Sequence, residues 1–272
     1  MVALNGIFKT TLGEIEKLTE KQEHRPYLGM SQIGHSCSRY LWYTFRWAYE
    51  INHSARLLRL FNRGHREEPA IVETLNKIGI ICYGDQTEVI MAHGHSKGHC
   101  DGMSIGVIEA PKTVHLNEYK TMSDKYFKEV CKLGVKASKP IYYAQCQIYM
   151  KKLKLTRTLF IAVNKNDDSM YIERIKYSKD FADELERKAE DIILSEKPPK
   201  KEFDSTWFEC KWCDARDICH FEGIPEKNCR TCENCDILPE GKWECSRHSI
   251  QLATGQQRIG CDNYQLLDCL KS

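Results

Sequence analysis

Cysteine spacing constrains this chain more than any other feature. Fourteen cysteines occur in 272 residues, and the segment FECKWCDARDICHF sets Cys210, Cys213 and Cys219 at C-x2-C-x5-C intervals. A second array follows: Cys229, Cys232 and Cys235, then Cys245 and His248 in GKWECSRH, then Cys261 in RIGCDNY. In a reducing cytosol such thiols do not persist as disulfides, and thiolates at these intervals fit soft metal ions. Three thiolates in the first array call for a fourth, and Cys37 in GHSCSRYLWY is the candidate. Four thiolates suit either an iron–sulfur cluster or Zn²⁺. In the second array Cys229-x2-Cys232 with a later Cys245 has zinc-ribbon character. Cys261 is the first choice for its fourth ligand, then His248, then Cys235. Cys82, Cys100, Cys131, Cys146 and Cys269 read as ordinary thiols.

The length suffices for one sizeable α/β domain with an appendage. No apolar run reaches the roughly 18 residues that cross a bilayer. The opening MVALNGIFKTTLGEIEK has no uninterrupted apolar region of the signal-peptide kind. These readings predict a cytoplasmic protein (in the host cytoplasm if phage-encoded) without a membrane partner. Forty basic and 38 acidic residues leave a net charge of +2, which neither favours nor excludes nucleic acid. Lys125–Lys139 and Lys151–Arg157 are nonetheless locally basic.

Four regions follow from composition and periodicity. Residues 1–60 read as mostly helical, through KTTLGEIEKLTEKQEH and SCSRYLWYTFRWAYE, and carry Cys37. Residues 61–200 alternate helix and strand: a helix near 62–78, strands near 86–92, 99–108 and 113–121, a helix near 138–153, and a hairpin of 157–163 with 170–178. The charged helix KDFADELERKAEDIILSE closes that region at Lys197-Pro198-Pro199-Lys200. Residues 201–224 hold the first cysteine array, and 225–272 a zinc-binding-like tail read as metal-stapled loops.

Within the core the stretch HLNEYKTM, residues 115–122, sets Glu118 and Lys120 two apart. On a strand that spacing places both on one face. Asp101, in GHCDGM, converges with them if its strand pairs with theirs. Two carboxylates and the backbone carbonyl of Tyr119 are hard oxygen ligands suited to Mg²⁺, and Lys120 sits where a cation can orient a nucleophile. Taken singly each residue has a bland reading: a solvated ion pair for Glu118–Lys120, a turn for Asp101. His93, His95 and His99 read as a polar hairpin beside the cleft, and Tyr40–Tyr49 as core packing.

Asp101 followed by Glu118-Tyr119-Lys120 resembles the D…ExK core of the PD-(D/E)XK nuclease superfamily. RGHREE resembles the G-x-x-x-[HE] helix of RecB-like and phage-type exonucleases, with Glu68 four after Gly64. YYAQCQIYM resembles the helical Q-x-x-x-Y motif, giving Gln145 and Tyr149. All four motifs stand in the family's order, and the resemblance covers roughly residues 31–222. It implies a restriction-endonuclease-like α/β fold, a mixed β-sheet flanked by helices with a cysteine-rich metal-stapled C-terminal region. The implied activity is Mg²⁺- or Mn²⁺-dependent hydrolysis of DNA, at ends or on single strands, by an exonuclease rather than an endonuclease. Asp101, Glu118 and Glu68 would hold the ion. Lys120 would position the attacking water, Gln145 would orient Lys120 or the water, and Tyr149 would support its helix or contact DNA.

One cysteine before the core and three after it resemble AddB and the CRISPR-associated RecB-like iron–sulfur exonucleases. That resemblance implies a [4Fe–4S] cluster on Cys37, Cys210, Cys213 and Cys219, clamping the chain ends together. The tail resembles C-terminal extensions of some phage-type members. No GxxxxGK[ST] loop is present, so no motor is encoded, and a helicase or recombinase partner would supply strands. The competing expectation is a nonenzymatic nucleic-acid-binding protein with a degenerate nuclease fold.

Overall fold

The computed structural model describes residues 11–17 and 23–271. The helical reading of KTTLGEIEKLTEKQEH holds for α1, Thr11–Lys17; Lys9, Thr10 and residues 18–22 lie outside the described residues, as does most of the segment read for a leader. The remaining helices are α2 (Ser38–Phe45), α3 (Ala55–Lys77), α4 (Asp124–Ser138), α5 (Pro140–Leu153), α6 (Lys179–Leu194), α7 (Arg216–His220) and α8 (Thr254–Ile259). Eleven strands are described: β1 (Leu28–Gly29), β2 (Ile81–Tyr83), β3 (Thr87–Met91), β4 (Ser96–Cys100), β5 (Met103–Ile105), β6 (His115–Met122), β7 (Arg157–Asn164), β8 (Met170–Lys176), β9 (Cys235–Ile237), β10 (Trp243–Cys245) and β11 (Ile250–Gln251). The architecture is mixed α/β, as the alternation of helical and strand-like segments predicts. Among the described residues no helix is long and apolar enough to cross a membrane.

The central sheet has the order β2-β5-β6-β7-β8. The β6–β7 pair is parallel, with Glu118 beside Phe160 and Lys120 beside Ala162, and the other pairs are antiparallel. The α4–α5 crossover makes that parallel pair possible. Alternation along β6 sorts its residues: Leu116 and Met122 join the large core with Ile148 and Phe160, while Tyr119 joins the smaller core with Ile71, Leu75 and Ile161. Full burial of each such aliphatic side chain contributes about 1.5–3 kcal/mol. Helix α3 covers the Tyr119 face and α5 packs on the other.

Several boundaries differ from the sequence reading. The strand expected over 99–108 is two strands in two sheets, since β4 pairs with β1 and β3 while β5 pairs with β2 and β6. Gly102, at φ +128°, makes the turn between them, a backbone angle that favours glycine. Helix α3 starts at Ala55, capped by the Ser54 hydroxyl accepting from Leu57 N–H at 3.3 Å, so the boundary drawn at residue 60 falls inside a helix. Helix α4 was not expected. Its backbone breaks at Gly134 (φ 75°), and Glu173 Oε2 caps the Val135 N–H freed there at 2.8 Å, so the helical period is interrupted in the sequence too. The tail, read as loops, contains the sheet β9-β10-β11, and its Trp243 is fully buried in the same core as Trp42 and Phe45.

Candidate active site

Asp101 sits where the chain passes from β4 to the central sheet. Pairing of Met103 with Leu116 continues outward as Asn117 N–H donates to Gly102 O at 2.9 Å. Asp101 thereby arrives beside β6, where its Oδ2 accepts the Tyr119 N–H at 2.7 Å. Glu118 and Lys120 share a strand face, as their spacing predicts, and their side chains are in direct contact. Glu118 is fully buried, whereas the Lys120 side chain keeps 23% exposure. Gln145 on α5 donates to Glu118 Oε2 at 3.1 Å. Among the described residues Glu118 Oε1 has no hydrogen-bond partner and faces only the Lys120 ammonium.

Electrostatics follow from burial and crowding. Burial first, then the Asp101 and Glu68 carboxylates, raise the Glu118 pKa to about 7 against the pull of Lys120. Burial works against charge on Lys120, but Glu118 and Asp101 outweigh it and hold the ammonium protonated well above its ordinary range. Glu68, on α3, has its pKa raised by burial and then by the Asp101 charge. His65 lies 3.6 Å from Glu68.

Asp101, Glu118 and Lys120 therefore lie together on β6 with Gln145 attached, while Glu68 is linked to them through its charge alone. Among the described residues no three His, Cys, Asp or Glu side chains stand at ion-holding distances. The donor set nevertheless suits a hard cation: carboxylates that raise one another's pKa, one of them fully buried. The Tyr119 carbonyl accepts from Lys120 Nζ at 3.2 Å.

Tyr149 makes no hydrogen bond to these residues. It is buried, its hydroxyl donates to His99 O at 3.1 Å, and its ring packs over Gly98, joining α5 to β4. Sequence reasoning missed Tyr142, whose ring centre lies 5.4 Å from Lys120 Nζ. Its position three before Gln145, one helical turn away, was the available signal. Of the histidines, His95 is buried against Phe45 and Trp243 and bonds to Leu238 O at 2.6 Å, a packing role.

Cys37, Cys210, Cys213 and Cys219 line one small cavity although the chain separates the first from the rest. Two contacts close that separation: Ser36 Oγ donates to Glu209 Oε2 at 2.7 Å, and Trp42 Nε1 donates to Ser195 O at 2.9 Å. Cys37 also caps α2, accepting the Tyr40 N–H at 3.4 Å. Burial and then neighbouring thiols push Cys213 up to about 11. Cys229, Cys232, Cys235, Cys245, His248 and Cys261 line a second cavity in the tail.

No protein-family model matches the chain, and no curated protein matches it. Among solved structures, an alkaline exonuclease, LHK-Exo from Laribacter hongkongensis, aligns with a TM-score of 0.47 and 17% identity over 66% of this chain and 90% of its own. LHK-Exo in complex with dAMP gives 0.46 and 18%, over 62% of this chain and 86% of that one. The protein SSO0001 gives 0.43 and 18%, over 79% and 94%. Likeness at this level carries no argument about chemistry, which rests on the residues above.

Proposed function

We propose that the chain is a metal-dependent deoxyribonuclease of the PD-(D/E)XK type with a restriction-endonuclease-like core, acting on DNA ends or single strands as an exonuclease. One observation supports the reading: Asp101, Glu118 and Lys120, from separate parts of the sequence, converge on β6 with Gln145 attached, and the charge of Glu68 on α3 acts on them.

Asp101, Glu118 and Glu68, with the Tyr119 carbonyl, would hold Mg²⁺ or Mn²⁺, which when bound polarises a phosphoryl oxygen and acidifies a water. The Asp101 carboxylate is fixed by the Tyr119 N–H, so it reaches the site without losing its place on the sheet. Gln145 occupies Glu118 Oε2, and Oε1 faces the Lys120 ammonium. Lys120 stays charged in its acidic surroundings, which lets it orient the attacking water and offset the negative charge that grows on the phosphorus oxygens. Tyr149 positions α5 rather than touching the reacting atoms.

The cavity lined by Cys37, Cys210, Cys213 and Cys219 supports a [4Fe–4S] cluster or Zn²⁺ there, with a structural role. A helicase or recombinase feeding single strands completes the proposal, since the chain carries no motor motif.

The test is cleavage of end-labelled linear and covalently closed circular DNA with Mg²⁺, comparing the natural chain with Lys120→Ala. Activity confined to linear DNA and reduced at least about 100-fold in the variant is expected. Equal cleavage by the variant would remove Lys120 from the mechanism, and no cleavage by either protein would favour the binding-only reading.

A further inference from the structure

Two arginines are buried in the core with no acid to face. Arg230 is 1% and Arg46 5% exposed, and neither pairs with a carboxylate among the described residues. Arg230 donates to Gln257 Oε1 at 2.9 Å, Phe45 O at 3.0 Å and Pro26 O at 2.8 Å, all neutral acceptors. Its guanidinium lies 3.8 Å from the Trp47 ring centre and 4.4 Å from that of Trp243. The Arg46 guanidinium lies 5.5 Å from the ring centre of Trp42 and 5.4 Å from that of Trp243, and among the described residues its Nε has no partner. Guanidinium does not deprotonate in proteins, so two positive charges lie in low dielectric with only ring faces and carbonyls to stabilise them.

What borders this pair is the cysteine tail. Both guanidinium groups lie against the ring of Trp243, two residues before Cys245 on β10, and Cys235 stands directly across the β9–β10 ladder from Cys245. Beyond that ladder Cys229, Cys232, Cys245 and Cys261 open on the same small cavity, and His248 Nε2 lies 3.8 Å from Cys261 Sγ. As neutral thiols these groups leave the two arginines without a counter-charge. As four thiolates on a divalent ion they carry a net charge of −2, which balances two guanidinium ions.

We propose that the tail holds one zinc-class soft divalent ion on Cys229, Cys232, Cys245 and Cys261, and that the buried Arg46–Arg230 pair is its built-in counter-charge. Cys235 is then a buried thiol of the same cavity left outside the ligand set, and His248 is a hydrogen-bond donor to the Cys261 thiolate. Binding draws in thiols that do not yet stand at ion-holding distance. The tail's folding is thereby linked to the ion. This site is independent of the nuclease reading, because metal content and cleavage are measured separately.

The experiment uses the full chain, with zinc and iron determined by elemental analysis. One zinc equivalent that depends on Cys245 is expected: Cys245→Ser should hold one fewer than the natural chain, and Cys235→Ser as many as the natural chain. Metal-stripped natural chain titrated with Co²⁺ should develop thiolate-to-cobalt charge-transfer and tetrahedral ligand-field absorption, a readout that needs no variant. Chelator competition should show Zn²⁺ bound about 10- to 100-fold more weakly by Arg230→Met or Arg46→Met, the range seen when groups around metal ligands are removed. Absence of both zinc and the cobalt bands overturns the site. Loss of zinc in Cys235→Ser overturns the ligand assignment, and unchanged Zn²⁺ affinity in both arginine variants overturns the counter-charge.

Discussion

Gln145 Nε2 donates to Glu118 Oε2 at 3.1 Å across the boundary between α5 and β6. Both residues are buried, so this bond decides how a carboxylate that cannot reach water is aimed. Gln145→Leu leaves that oxygen without a donor, and a loss of about 1–3 kcal/mol in chemical denaturation is expected. If Glu118 holds the ion, the same variant should need about 10-fold more Mg²⁺ for half-maximal cleavage. An unchanged Mg²⁺ requirement would separate Gln145 from the metal site.

Protonation of Glu118 gives a second prediction. Its pKa is raised from 4.5 to about 7, chiefly by burial. Between those values the folded chain binds a proton that the unfolded chain does not, so in metal-free protein this group's contribution to stability falls as pH rises through that window. Cleavage at low Mg²⁺ should instead rise with pH through about 7, as the carboxylate ionises. Increasing Mg²⁺ should move that rise to lower pH, because cation binding favours the ionised form. A pH–rate profile indifferent to Mg²⁺ would contradict the assignment.

The α5–α6 interface responds in the opposite sense. Lys151 and Lys179 hold Asp183 at 2.5 Å each, and their hydrogen bonds lower its pKa from 3.8 to about 2. Its folded pKa lies below the unfolded value, so its contribution to stability is present above pH 3.8 and is lost as pH falls towards 2. Denaturation midpoints measured across this range should drop less steeply in Asp183→Asn than in the natural chain.

Tyr149 and Gly98 test the packing of α5 on β4. Tyr149→Phe removes the bond to His99 O and should cost about 1 kcal/mol with cleavage retained. Gly98→Ala forces a methyl into the Tyr149 ring and should cost more, about 1–3 kcal/mol. Thermal melts of both variants beside their cleavage rates check the order, and a large rate loss in Tyr149→Phe would give the hydroxyl a role at the reacting centre.

Cys210→Ser tests the first thiol cavity. If it holds a cluster, anaerobically purified natural chain should be brown and the variant should lose both iron and visible absorbance. Closing the loop of more than 170 residues between Cys37 and Cys210 restricts the unfolded chain, so the variant should also lose about 4 kcal/mol of stability. A colourless, iron-free natural chain would leave zinc as the occupant.

Some of this was settled by local sequence. Side chains of a strand alternate with period two, so a strand at HLNEYKTM had to place Glu118 and Lys120 together and Tyr119 opposite, and the structure keeps that division. The hairpin of β7 and β8 and the helices α3, α5 and α6 were legible for the same reason, since apolar periodicity is a property of neighbouring residues. Helix α4 was not, because Gly134 interrupts the period and Glu173, far along the chain, repairs the backbone. Tertiary structure alone placed Asp101 at the turn between two sheets, set its carboxylate on the Tyr119 N–H, and enclosed Arg46 and Arg230 among tryptophans. Those relations depend on which elements pack together and on how much water they exclude, and neither quantity is written in the spacing of residues along one strand or helix.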